Sequence, residues 1–406
     1  MRRQEEEMKQ EYQDYITLLR SFVKEEKPKL SQEINWPEII QCANINSTMG
    51  IVGYILMLYK DLADSDLNNF GRQRCMHEIA LYSRRAEQMN QLICQLNAHQ
   101  IDHLLFKGFI VRDYYTSCPE LRTFGDIDFV IRKEDRKKCD ELMKELGYEP
   151  HEDWEPVYSY TKGMEYYEIH TDVMEVDVSD KADYREYYSH IWEHVRKRFP
   201  ESASYSYEFD PEFHFLYLLT HIAKHISVSG AGIRMYLDIA FFIKHFEDTI
   251  DWAWIKEQLK ILKFEDFANI TFNAVERWFG VSSPVPIRKL SDEIMDAFTV
   301  FTLEGGVFGK VGRDRSVVFL KQQDRNEEKV SRFKTLMFHI FPPISSLENR
   351  YTYLQKHHWL LPFAWGHRLI GNHGSWGRYA DHAKGIMNAD TEEVLRLKKM
   401  YKEIGL

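Results

Sequence analysis

The chain lacks what would mark a disulfide scaffold, a zinc ribbon or a membrane span. Its five cysteines, Cys42, Cys75, Cys94, Cys118 and Cys139, lie far apart with no Cys-x-x-Cys pair, so they read as reduced and intracellular. No window approaches the roughly 18 uninterrupted apolar residues that a membrane span requires. The first ten residues, MRRQEEEMKQ, lack the apolar stretch of a signal peptide, and a cytoplasmic chain with no membrane partner is the expectation. A surplus of cations is missing too. The 53 Lys and Arg against 63 Asp and Glu leave a net charge of -10, the wrong sign for coating nucleic acid, although a local basic pocket for a triphosphate stays open. There is no internal repeat and no low-complexity tract.

What is present is the composition of an ordinary globular protein, 44% hydrophobic and 29% charged, in a chain of 406 residues that suggests two or three domains. Residues 1–100 read as a helical region. Its best segment carries Ile79, Tyr82, Ala86, Met89, Ile93 and Leu96 at spacings of three and four, one apolar stripe that reads as core. Between 101 and 182 the period changes. Short β-type runs at His103–Phe106, Phe124–Ile131, Val157–Tyr160 and Tyr166–Val178 surround one helix over Lys133–Leu146, with Gly147 placed as its C-cap. From 183 to 406 the chain returns to helices. Asp210-Pro211 opens one to about Ser227, others follow at roughly 233–247, 251–262, 265–279 and 287–303, and 305–326 is the candidate mobile loop. The fold class expected is α+β, predominantly helical, with a small mixed sheet open on one face between the two helical regions.

Chemistry gathers in RTFGDIDFVI, Arg122 to Ile131. On a strand, Asp126 and Asp128 share one face while Ile127, Phe129 and Ile131 share the other. Two neighbouring carboxylates repel unless a metal or a positive partner sits between them. An isolated Asp-x-Asp is more often a solvated strand face. Here LLFKG upstream sets Lys107 and Gly108 where a strand hands over, which suits a phosphate, and Gly125 gives the backbone room. Downstream, Glu168 and His170 share a face of EYYEIHTD and offer a third carboxylate.

The order LLFKG, RTFGDIDFVI, LGYE and YYEIHTD resembles the uncharacterised nucleotidyltransferase family of the DNA polymerase β-like superfamily. That pattern is similar to Leu-Lys-Gly, Arg-x-x-Gly-Asp-x-Asp, a helix ending in Gly-Tyr or Gly-Phe, and Glu-x-His. The likeness continues into FDPEFHFLYLLTHIAKH and GAGIRMYLDIA and weakens after about residue 300. It implies a nucleotidyltransferase core and an enzyme that moves a nucleoside monophosphate from a nucleoside triphosphate to a small-molecule or peptide acceptor. Mg²⁺ or Mn²⁺ would sit on Asp126, Asp128 and Glu168, with Lys107, Gly108 and Arg122 facing the triphosphate. Asp177 competes for the place of third acid, and Asp172 less so. One departure matters: most of the superfamily has Gly-Ser where this chain has Lys107-Gly108, so the phosphate contact passes to backbone and Lys107. A catalytically silent nucleotide-binding module is the rival expectation.

Three further residue pairs or groups stay open at this stage. His221 and His225, four apart on one helix face, suit packed histidines, a pocket lining or zinc, with Ile222 where a zinc protease would carry Glu. Lys224 beside them has the reach for phosphate or is simply solvated. Arg234 and Asp238, also four apart, suit a structural ion pair or a place near the cleft. Trp359, Trp365, His357, His358 and Arg368 read as helix packing.

Overall fold

The computed structural model describes residues 8–307, except 155, 175–177, 180, 201–203 and 229, together with 337, 340–344, 347, 351–371 and 400–405. Among the described residues no helix is long and apolar enough to cross a membrane. The architecture is α+β and predominantly helical. Four helices open it: α1 (Gln10–Lys24), α2 (Trp36–Ile45), α3 (Met49–Leu58) and α4 (Ser65–Ala98). Asp64 starts α4 by accepting a hydrogen bond from the Leu67 N–H at 2.9 Å, the usual work of an N-cap carboxylate. The expected stripe buries its C-terminal half, Met89, Ile93 and Leu96, whereas Ile79, Tyr82 and Ala86 are only half-buried. This is where α4 passes over the chain ahead of the central strand.

The α/β part runs β1 (His103–Leu105), α5 (Gly108–Val111), β2 (Ile127–Ile131), α6 (Arg136–Glu145), β3 (Glu149–Trp154), β4 (Val157–Lys162), β5 (Glu165–His170), α7 (Tyr184–Tyr188), β6 (Val195–Lys197) and β7 (Ser206–Phe209). Gly147 ends α6 with φ 81°, as the C-cap position requires. The seven strands form one mixed sheet in the order β3-β4-β5-β2-β1-β7-β6, parallel only at β2·β5 and β1·β7. The sheet is larger than the sequence suggests. β6 and β7 lie beyond residue 183, where the pattern had read as helix alone, because three- and four-residue strands as polar as VRK and SYEF carry no usable period.

Helices α8 (Pro211–Val228), α9 (Ile233–Phe246), α10 (Trp252–Ile261), α11 (Glu265–Phe279) and α12 (Asp292–Gly305) follow, close to the expected spans. Only α12 starts late: Ser291 caps it, accepting from Ile294 N–H, so residues 287–291 stay outside the helix. Of the stretch 305–326, Gly305 ends α12 and the residues from 308 onward lie outside the described ones. Trp365 is spent on packing, with its Nε1 donating to Pro342 O at 2.8 Å and its ring 5.2 Å from Phe341. Helix α8 lies against the sheet through Tyr217, whose ring centre is 5.4 Å from Phe106 and 5.7 Å from Phe209. That contact brings one face of α8 over the ends of β1 and β7.

Candidate active site

The register of β2 on β5 sets the site. Asp128 pairs with Glu168, and Val130 with His170, in a parallel ladder whose neighbours stand about 4.8 Å apart and point to one side. The two carboxyl groups are therefore forced together. Asp128 is buried and Glu168 half-buried. His170, two residues on from Glu168, donates from Nε2 to Asp128 Oδ1 at 3.0 Å and stands 3.8 Å from Glu168 Oε2. One ligand atom from each of Asp128, Glu168 and His170 falls within 4.8 Å of the others.

Lys107 supplies the charge. Its Nζ donates to the same Asp128 Oδ1 at 2.7 Å and lies 5.0 Å from the centre of the Phe106 ring. Its backbone sits at φ 54°, ψ -140°, a conformation that costs a non-glycine residue about 1–3 kcal/mol and is retained where the surroundings enforce it. Phe106 wedges between the His170 ring at 5.7 Å and Tyr217, so the lysine and the histidine are aimed by one aromatic contact. Burial on its own would raise the Asp128 carboxyl, but the ammonium and the His170 hydrogen bond overturn that and hold it well below the usual carboxylate range. Burial likewise opposes the charge on Lys107, and Asp128 reverses it, keeping the ammonium firmly protonated.

Asp126 differs from the sequence expectation. Strand β2 begins at Ile127, so Asp126 sits in the bend ahead of it, exposed to solvent, and does not share a ladder position with Asp128. The two remain close enough to interact. Asp128 is the first cause that raises the Asp126 carboxyl, ahead of burial. Gly125 meets nothing: a Cβ built there has open space around it, so its supposed room serves no neighbour within the protein.

Glu168 shifts the opposite way to Asp128. Burial first, then Asp128 and Asp126, push its carboxyl up to about 7. A folded value above the ordinary one means that the protonated form is favoured by folding. The stability this contributes is complete in acid and lost as pH rises through about 7. Thermal melts of metal-free protein should therefore drop between about pH 5 and pH 8 by more in the wild type than in Glu168→Gln. Saturating Mg²⁺ should restore most of that difference. Parallel pH profiles for the two proteins would speak against the assignment.

Arg122 lies elsewhere than the phosphate-facing expectation. Its guanidinium is buried and grips Asp238 of α9, Nε to Oδ1 at 3.0 Å and Nη2 to Oδ2 at 2.5 Å, and donates from Nη1 to Thr123 O at 2.7 Å. Tyr115 OH completes the carboxylate at 2.8 Å. Gly108 is small for this reason: a Cβ there would fall 2.5 Å from Arg122 Nη1, an atom pinned by its own bonds. The helix-face pair Arg234–Asp238 is thus not made. Asp238 belongs to Arg122.

Arg234, expected either in a pair with Asp238 or near the cleft, is left with a spare guanidinium. Its Nη1 donates to Thr123 Oγ1 at 2.7 Å, its buried Nε has no hydrogen-bond partner, and no carboxylate lies within ion-pairing distance among the described residues. Burial, then the neighbouring Arg122, pull it down to about 10. A desolvated arginine without a carboxylate is stabilised by any anion that reaches it.

His221 and His225 of α8 form a pair, Nε2 to Nε2 at 3.0 Å, with His221 stacked on Tyr217. Burial is the first cause that lowers both, His225 to about 4 and His221 well below the usual range, with His225 acting on His221 and Lys107 and Lys224 on both. They are neutral at pH 7 and border the cleft. No third metal-ligating side chain gathers with them among the described residues. Lys224 is half-buried on the same helix. Asp172 is occupied in a turn, accepting from Met174 N–H at 3.2 Å, and Asp177 lies outside the described residues.

Comparison with known proteins agrees with this geometry. The model of a family described as uncharacterised nucleotidyltransferase matches residues 32–280, a span that contains all the residues of the cluster. No curated protein and no solved structure gives a significant match.

Proposed function

The chain belongs to the uncharacterised nucleotidyltransferase family, and on that premise we propose that it moves a nucleoside monophosphate from a nucleoside triphosphate to a hydroxyl or phosphate oxygen of a small-molecule or peptide acceptor. The single observation that carries this is the convergence of Asp128, Glu168 and His170 beside the half-buried Lys107, with Asp126 in electrostatic reach and an anion-seeking Arg234 nearby. The donor set suits a divalent cation. It is rich in carboxylate oxygen, as Mg²⁺ and Mn²⁺ prefer, and without a cation burial and the neighbouring Asp128 and Asp126 push Glu168 towards its protonated form. Asp126, Asp128 and Glu168 would hold the ion, and His170 would keep Asp128 oriented from behind. Once bound, such an ion neutralises charge on the triphosphate and on the pyrophosphate that leaves.

The chain's own groups divide the remaining work. The acceptor oxygen forms a bond to the α-phosphorus while the bond from that phosphorus to the bridging oxygen breaks, and its electron pair departs on pyrophosphate. Glu168, kept ionised by the cation, would take the acceptor's proton. Lys107 and Arg234 would meet the phosphate oxygens, Lys107 by exchanging its carboxylate partner and Arg234 through its free Nε. Arg122, locked on Asp238, holds the turn from 122 to 126 in place without touching substrate.

Calorimetric titration with Mg²⁺ and each of ATP, GTP, CTP and UTP tests this. Wild type should bind one of them only with Mg²⁺, Asp126→Ala/Asp128→Ala should not, and Arg234→Met should bind about 10–100-fold more weakly, as loss of a charge-assisted bond implies. Equal, metal-independent binding by all three proteins would remove the proposal. A catalytically silent nucleotide-binding module is favoured by one observation, the lysine already seated on Asp128, and would show binding without release of pyrophosphate.

A further inference from the structure

Across the 122–126 turn from the acidic cluster lies a cavity of about 210 Å³ that the nucleotide chemistry does not use. Asn44, Ser47, Arg74, Glu78, Tyr82 and Thr123 are among its walls. Glu78 is only weakly provided for, by Arg74 and by the Gly50 backbone at the start of α3. It is 8% exposed, its Oε2 makes no hydrogen bond, and its closest cation, Arg74, stands 3.9 Å from the other oxygen. A buried carboxyl oxygen left without a donor is costly, and more so when ionised. The fold even makes room for it: a Cβ at Gly50 of α3 would lie 2.3 Å from that bare Oε2. Burial accordingly raises the Glu78 carboxyl.

The cavity and the acids share a wall. Thr123 lines the cavity and is three residues from Asp126, and the Arg234 bonded to its hydroxyl acts on both the Glu78 and the Asp126 carboxyls. Helix α4 fixes this wall, with Arg85 Nη1 donating to Phe124 O and the Tyr82 ring 5.2 Å from that of Phe124. At about 30 Å³ per water, the space holds roughly seven waters' worth of ligand, the size of one hydroxylated ring.

We propose that this cavity is the acceptor subsite and that it takes a hydroxylated compound carrying an ammonium group, the ammonium seated on Glu78 and a hydroxyl directed past Thr123 to the acidic cluster. The proposal rests on the nucleotidyl-transfer function above. The ammonium supplies what Glu78 lacks, a charge-assisted donor for Oε2, while Asn44, Ser47 and Tyr82 offer partners for hydroxyls. A neutral sugar would leave the carboxyl unpaired.

The experiment compares glucosamine with N-acetylglucosamine, which keeps the ring hydroxyls and loses the charge, by saturation-transfer NMR and calorimetry. Wild type should bind glucosamine at least tenfold more tightly than the acetylated sugar. Glu78→Gln should abolish that preference, with an affinity for Mg·ATP that moves less than twofold. Equal binding of the two sugars by wild type, or a preference that survives in Glu78→Gln, overturns the subsite, as does failure of glucosamine to bind. So does a parallel loss of Mg·ATP in Glu78→Gln, which would assign the cavity to the nucleotide itself. Should the charge preference hold while wild type binds no Mg·nucleotide, the cavity stands as an ammonium site and the transfer function falls instead.

Discussion

Asp128→Asn should lower the rate of nucleotidyl transfer by at least about 10³-fold, since the charge stabilisation a divalent ion brings to such a reaction is worth several kcal/mol. The geometry makes the loss unusually complete. Asp128 Oδ1 receives both Lys107 Nζ, at 2.7 Å, and His170 Nε2, at 3.0 Å, so removing its charge unbalances the lysine and misorients the histidine as well as removing a ligand. The same substitution should lower stability, because Lys107 would be left with a buried ammonium and no ionised partner. Asp126→Asn offers the contrast. Asp126 is exposed and ahead of the strand, so its substitution should depress transfer while leaving the melting temperature nearly unchanged. Transfer by Asp128→Asn within tenfold of wild type would show that the acids serve the fold alone.

The second large effect is structural. Asp238→Ala is expected to destabilise the protein by about 3–5 kcal/mol, the cost of stripping one partner from a buried, hydrogen-bonded pair. Asp238 satisfies Arg122 through two bonds and Tyr115 through a third, and it joins α9 to the chain just ahead of Asp126. Without it Arg122 would face Arg234, whose guanidinium already feels that like charge. Replacing both partners, as in Arg122→Met/Asp238→Leu, removes the uncompensated charge and should recover part of the loss. Denaturant melts of the two single variants and the double variant measure this coupling directly. Single variants within about 1 kcal/mol of wild type would mean that the pair is solvated and the turn is held by something else.

Much of this was legible in the sequence because it follows from short-range rules. The 3.6-residue period finds α6 and α8 to α11, and the Asp210-Pro211 and Gly147 signals mark ends that the fold respects. The period of two in IDFVI and EYYEIH finds the strands that carry Asp128 and Glu168, which the register then sets side by side. What could not be read depends on distant pairing. Arg122 stands one residue before Thr123 in a motif that suggests phosphate, yet its partner is 116 residues away in α9, and nothing local announces that. Arg234 is left spare by the same exchange, since the Asp four residues on looked like its natural partner. Glu78 was invisible for a different reason: it sits beside an apolar stripe that reads as core, and only the packing of α3 onto α4 shows a carboxyl enclosed with one oxygen lacking a hydrogen bond. Strands β6 and β7 were lost to their brevity.

The whole account reduces to whether the carboxylates of β2 and β5 share a cation in the presence of nucleotide. A crystal grown with Mn²⁺ and a non-hydrolysable triphosphate would decide it through the anomalous signal of manganese. The prediction is a peak bonded to oxygens of Asp128 and Glu168, with Lys107 moved off Asp128 onto a phosphate oxygen and Arg234 Nε against another. A nucleotide bound elsewhere, with Lys107 still on Asp128 and no manganese between the strands, would contradict it.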